Sequence, residues 1–108
     1  MGSSWHHPVG SVPRAVAPRG AGVLQVRAGL GSDGLRRYPR GTSAMVYYDG
    51  GTDLGAALDR ARAHTQHVTT PMSVRFASSL TAADDLAKLL GEFERRFGAL
   101  PSLTTDDG

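Results

Sequence analysis

The stretch Ser79 to Pro101, SLTAADDLAKLLGEFERRFGALP, limits what this chain can fold into more than any other. Leu86, Leu90, Phe93, Phe97 and Leu100 recur at spacings of 4, 3, 4 and 3, the 3.5-residue period of a helix seam, and Leu89 widens the stripe. Thr81 stands where an N-cap belongs, with Asp84 and Asp85 in the first turn, Arg95 and Arg96 in the last, Gly98 just past the end and Pro101 beyond. Asp84 with Lys88, and Glu92 with Arg96, add i,i+4 pairs on the opposite side. These signals agree on an amphipathic helix over residues 81–97 with one face that must be buried. The default cover is the sheet of its own domain. Five consecutive seam positions are more than a sheet of short strands needs, so a homodimer through Leu86, Leu90, Phe93, Phe97 and Leu100 is the alternative.

With 108 residues the chain holds one small domain. It has no cysteine, which excludes disulfides, thiolate metal sites and cysteine nucleophiles. Upstream of the helix, "VLQVRA" alternates Leu24, Val26 and Ala28 with Gln25 and Arg27, the pattern of a half-buried strand. "TSAMVYYDG" (Thr42 to Gly50) is β-forming on both faces and reads as a central strand. Thr52 or Asp53 then caps a helix over about 53–65, in which Leu54, Leu58 and Ala61 line up. After Pro71, Met72, Val74 and Phe76 alternate with Ser73 and Arg75 as an edge or flanking strand. This order predicts an α+β domain of two layers over residues 21–101, a small three-stranded sheet with two helices on one face in the order β-β-α-β-α.

Residues 1–20 hold Pro8, Pro13 and Pro18 and show no hydrophobic periodicity, which predicts a disordered leader dispensable for stability. Its acid-free, Arg-bearing make-up also fits a transit segment, and His6, His7 and "VPR" fit an affinity tag with a protease site. Residues 102–108 read as a flexible acidic tail. Residues 1–41 carry six arginines against Asp33 alone, whereas residues 42–108 carry six basic and nine acidic groups. A basic segment can attract nucleic acid, but these arginines stand singly among Pro and Gly with only Trp5 and Tyr38 as aromatics, so nucleic acid is disfavoured. No apolar run approaches the roughly 20 residues of a membrane span, and no secretory apolar core is present, which points to the cytoplasm.

Gly29, Gly31 and Gly34 have the Gly-x-Gly-x-x-Gly spacing of a dinucleotide loop. That loop works only where the third glycine opens a helix whose amides meet the pyrophosphate. Here "LRRYPRG" follows, and Pro39 and Gly41 end any helix within a turn, so the stretch reads as a flexible hairpin connection. Arg36, Arg37 and Arg40 read as solvated charge with anion binding as the alternative. His64 and His67, at i and i+3, are half a metal site at the end of a helix, where the helix dipole favours imidazolium. No metal or cofactor is assigned.

"TSAMVYYDGGTDLGAALDRARAHTQHVTTPMSV", residues 42–74, resembles the opening strand, helix and second strand of a vicinal-oxygen-chelate module of the glyoxalase and bleomycin-resistance superfamily. The matching positions are Val46, Tyr47, Asp53, Leu54, Ala56 to Leu58, Arg60, Ala61, Ala63 and Pro71. The family's Gly-Gly after the helix is replaced by "HTQH", and its closing strands with the ligand Glu are missing. The resemblance implies a small-molecule pocket rather than metal catalysis, and it carries over no catalytic residue. The expected function is therefore a non-catalytic small-molecule-binding module with Tyr47, Tyr48 and Phe76 as pocket walls. The competing function is an interaction or homodimerisation module acting through helix 81–97. Core packing of all three rings is the plainer alternative.

Overall fold

The computed structural model describes residues 10–29, 35–68 and 71–103. Runs that alternate apolar and polar residues lay down an antiparallel sheet with two usable faces. The long strands are β2 (Gly22–Ala28), β5 (Met45–Gly51) and β6 (Met72–Ser78), seven residues each. The two-residue β1 (Gly10–Ser11) extends the sheet, and its order is β1-β6-β2-β5. Strands β3 (Arg36–Tyr38) and β4 (Gly41–Ser43) form a separate hairpin. Helix α1 (Leu54–Thr65) links β5 to β6, and α2 (Ala82–Phe97) follows β6. The domain is α+β, with its long elements in the order β-β-α-β-α.

Register fixes which side chains share a face. Val26 lies opposite Tyr47 and Val74, Leu24 opposite Asp49 and Phe76, and Ala28 opposite Met72. These residues look toward α1, where Asp49 bonds Arg60 and the others pack with Leu54, Ala57, Leu58 and Ala61. The alternate set, Val23 with Gly50 and Ala77, and Gln25 with Tyr48 and Arg75, looks the other way. There α2 covers Val23 and Ala77 through Ala82, Leu86 and Leu89, while Phe93 meets Tyr48 and Tyr38. The two helices therefore cover opposite faces, and the expected placement of both on one face is corrected. The reason is that β2 is apolar on both sides where α2 reaches it, because Val23 joins the second face.

The expected centre of the sheet also moves. Strand β2 lies between β5 and β6, and β5 is a lateral strand whose two buried faces imitate a central one. Between Val26 and Arg27 the pairing shifts, so that Val46 is the extra residue of a bulge and joins the α1-side core with Tyr47. The outer edge of β5 is closed there by the Tyr38 hydroxyl, which donates to the Met45 carbonyl at 2.7 Å, and by the Leu103 amide, which donates to the Val46 carbonyl at 2.8 Å. Blocking an edge this way removes a template for stray strand pairing. Leu103 packs on the core and Pro101 is fully buried, so the chain is docked one residue beyond the expected start of the tail at 102.

The expected leader is part of the fold from residue 10 onward. Val12 is 2% exposed in the α1-side core, its amide donates to the Met72 carbonyl, and Arg62 donates to the carbonyls of Val12 and Ala15 at 3.1 and 2.7 Å. Short segments need no periodicity when one anchor side chain and a guanidinium hold them. Residues 1–9 and 104–108 lie outside the described residues.

The cap signals resolve in detail. Asp53, rather than Thr52, caps α1 and accepts from the Gly55 amide at 2.9 Å. Thr81 occupies the N-cap position of α2, but its hydroxyl pairs with the Asp85 carboxylate instead of a backbone amide. Gly98 closes α2 at φ 81°, in the left-handed region, and donates to the Glu94 carbonyl.

Candidate functional site

The three aromatic residues expected to wall one pocket do not meet. Tyr47 and Phe76 lie on the α1 face and Tyr48 on the α2 face, and all three are buried. Adjacent residues of a strand point to opposite faces, so Tyr47 and Tyr48 cannot line one cavity. One cleft of about 320 Å³ is lined in part by Val12, Arg14, Thr65 and Met72, and a wider one by Val16, Asp53, Leu58 and Arg62. None of the three aromatics lines either cleft.

Tyr47 belongs to a polar cluster at the lateral strand. Its hydroxyl donates to Asp49 at 2.6 Å, Arg60 grips both oxygens of the same carboxylate at 2.7 and 3.1 Å, and His64 lies over the Tyr47 ring with centroids 4.9 Å apart. Burial alone would push the Asp49 carboxyl up, but the bonds from Arg60, Tyr47 and the Gly50 amide prevail and hold it below its ordinary value. Burial, reinforced by Asp49, pushes the Tyr47 phenol up. Every charge in this cluster has a partner, so it ties α1 to β5. His67 is exposed beyond the helix end, and among the described residues no group of three or more metal-ligating side chains forms.

Tyr48 belongs to a different constellation. Gln25, only 6% exposed on the central strand, donates to the Tyr48 hydroxyl at 3.0 Å and accepts at its Oε1 from Arg75 Nε at 2.5 Å. A buried amide in mid-sheet is costly unless both of its ends are bonded. Here the Tyr48 hydroxyl and the Arg75 guanidinium bond them. Burial raises the Tyr48 phenol, against the pull of Gln25, Arg75 and Arg96. Burial lowers Arg75, and the neighbouring Arg27 adds to that lowering.

Register arranges this second face in three rows. Ala77, Val23 and Gly50 form an apolar row beneath α2. Arg75, Gln25 and Tyr48 form the next, and Ser11, Ser73, Arg27 and Met45 the third. In the third row Arg27 and Ser11 are exposed, while Ser73 and Met45 are half-buried. Sequence reading assigned Gln25, Arg27, Ser73 and Arg75 to the solvent side of their strands. The signal that could have singled them out is that the polar positions of "VLQVRA" and "MSVRF" fall opposite one another when the strands pair antiparallel.

The interface residues expected on α2 divide. Phe93 is core, in edge-to-face contact with Tyr38 at 5.0 Å and Tyr48 at 5.8 Å, whereas Leu86, Leu90, Phe97 and Leu100 are half-buried. Arg96 lies over the Phe97 ring at 5.3 Å, and Glu92 approaches Arg95 rather than Arg96. Of the glycine loop, Gly31 and Gly34 lie outside the described residues. Gly29 spends its amide on the Pro71 carbonyl at 2.7 Å, and strand β3 rather than a helix follows the loop. Among the described residues no helix is long and apolar enough to cross a membrane. No family model, no curated protein and no solved structure matches the chain.

Proposed function

We propose that the protein is a non-catalytic module that binds a small polar molecule on the half of the second sheet face that α2 does not cover. The observation that carries this reading is the chain from Tyr48 through buried Gln25 to Arg75, which brings fixed hydrogen-bonding groups from the core toward the surface beside exposed Arg27. Binding sites combine a rigid apolar frame with a few placed polar groups. A cytoplasmic location and a relationship to glyoxalase-like modules belong to the same proposal, the latter resting on the residues of 42–74 alone.

Mapping nitrogen-15 amide shifts against a panel of metabolite-sized polar compounds tests it. Saturable changes at Gln25, Arg27, Tyr48 and Ser73 are expected. Changes confined to the cleft at Val12 and Thr65, or none at millimolar concentration, would overturn the reading. The second reading is a homodimer through α2, supported by the half-buried state of Leu86, Leu90, Phe97 and Leu100.

A further inference from the structure

Resting on the binding surface proposed above, we infer that its ligand carries an oxyanion, a phosphate or carboxylate group, received jointly by Arg27 and Arg75 with the hydroxyls of Ser73 and Ser11 beside them. Arg75 pairs with Gln25, Arg27 with Ser73, and Ser73 with Ser11, so register sets the four residues side by side on one sheet face with the two arginines as diagonal neighbours, and Ser11 also borders the cleft at Val12 and Thr65. Diagonal neighbours on one sheet face lie within reach of long side chains, and like charges so placed repel. Burial is the main cause that lowers Arg75, Tyr48 works against it, and Arg27 adds a smaller lowering in the direction that such repulsion requires. An anion between the two would convert it into attraction.

No described residue on the face neutralises Arg27. Among the described residues no carboxylate stands within ion-pair distance of it, and Asp49, the one acid on the long strands, lies on the α1 face and is held by Arg60. The Arg75 guanidinium is also oriented, because its Nε is tied to Gln25. A planar guanidinium of set orientation matches the two-oxygen edge of a phosphate or carboxylate, and the serine hydroxyls supply further donors. A patch two strands wide suits a single anionic group rather than a long phosphate backbone.

Inorganic phosphate and acetate, each titrated at ionic strength held constant with sodium chloride, decide the matter by the backbone and arginine Nε–H signals. Saturable shifts at Arg27, Ser73 and Arg75 with a constant at or below about 1 mM are expected. Arg27→Ala should weaken binding about tenfold or more with an unchanged circular dichroism spectrum. Arg75→Lys, which keeps the charge but loses the fork, should weaken it as well. Tightening of phosphate between about pH 6 and 8 identifies the dianion as the preferred form, whereas a preference for acetate identifies a carboxylate. Equal shifts from chloride alone, or an Arg27→Ala protein that binds as the parent does, would overturn the inference. If an uncharged compound saturates the Gln25 and Tyr48 signals while phosphate and acetate leave Arg27 unmoved, the oxyanion is wrong and the binding surface stands. If no compound moves these signals, both readings fall.

Discussion

Asp49 draws a phenol, a guanidinium and a backbone amide onto one half-buried carboxylate, and its removal strands them all. Arg60 is half exposed and can recover water, so Asp49→Asn should cost about 1–2 kcal/mol at neutral pH. Because the folded pKa lies below the ordinary 3.8, the contribution is complete above about pH 4 and is lost as pH falls through the lower folded value. Melting curves between about pH 5 and 2 should therefore fall more steeply for the parent than for Asp49→Asn; parallel curves would show that the carboxylate adds nothing. Gly22 makes a second residue-scale case. A Cβ there would lie 2.3 Å from the Ala77 carbonyl oxygen and 2.8 Å from a Leu54 methyl, so Gly22→Ala must push strands apart. A loss of about 1–3 kcal/mol in chemical denaturation is expected.

At the scale of elements, the segment 10–17 behaves as a strap over the α1-side core. Burying Val12 stabilises by about 1.5–3 kcal/mol, which in a domain of this size moves the melting temperature by roughly 10 °C. A chain beginning at Gly20 should melt lower by about that amount, and an unchanged melting temperature would mean that the strap is only ornament. Helix α2 depends on Phe93 in the same way. Phe93→Ala removes the ring that meets Tyr38, Tyr48 and Phe97, costing about 3–5 kcal/mol out of the roughly 5–15 that such a domain holds. Exposed Leu80, by contrast, should tolerate Leu80→Ser within about 0.5 kcal/mol.

For the whole molecule, the question is whether one copy closes its own surface. Phe93 spends its ring on Tyr38 and Tyr48 of the same chain, so sedimentation at high micromolar concentration should give the monomer mass; twice that mass, abolished by Phe97→Asp with helicity retained, would establish the dimer through α2. The glycine loop should contribute nothing to nucleotide affinity. Titrations with NAD or ATP should show no micromolar constant, and Gly31→Ala should leave any response unchanged.

Local rules determined the long elements, though not β1 or the hairpin of β3 and β4. The seam of α2, its Gly98 stop, a cap at Thr52 or Asp53 and the alternation of β2 and β6 are written in neighbouring residues, because backbone geometry and capping act over a few positions. Local rules also argue against a dinucleotide loop, through Pro39. What they could not determine was adjacency. Whether β5 lies at the centre or the side of the sheet, and whether α2 shares a face with α1, depends on pairings between residues tens of positions apart. The doubly buried look of "MVYYDG" is the same in either case. Periodicity likewise cannot register one value of a strap such as Val12, since a single anchor has no period. The candidate site follows the same division: alternation placed Gln25, Arg27, Ser73 and Arg75 on the polar sides of two strands, and only the antiparallel register of β2 with β6 brought them to one face and set the two arginines side by side.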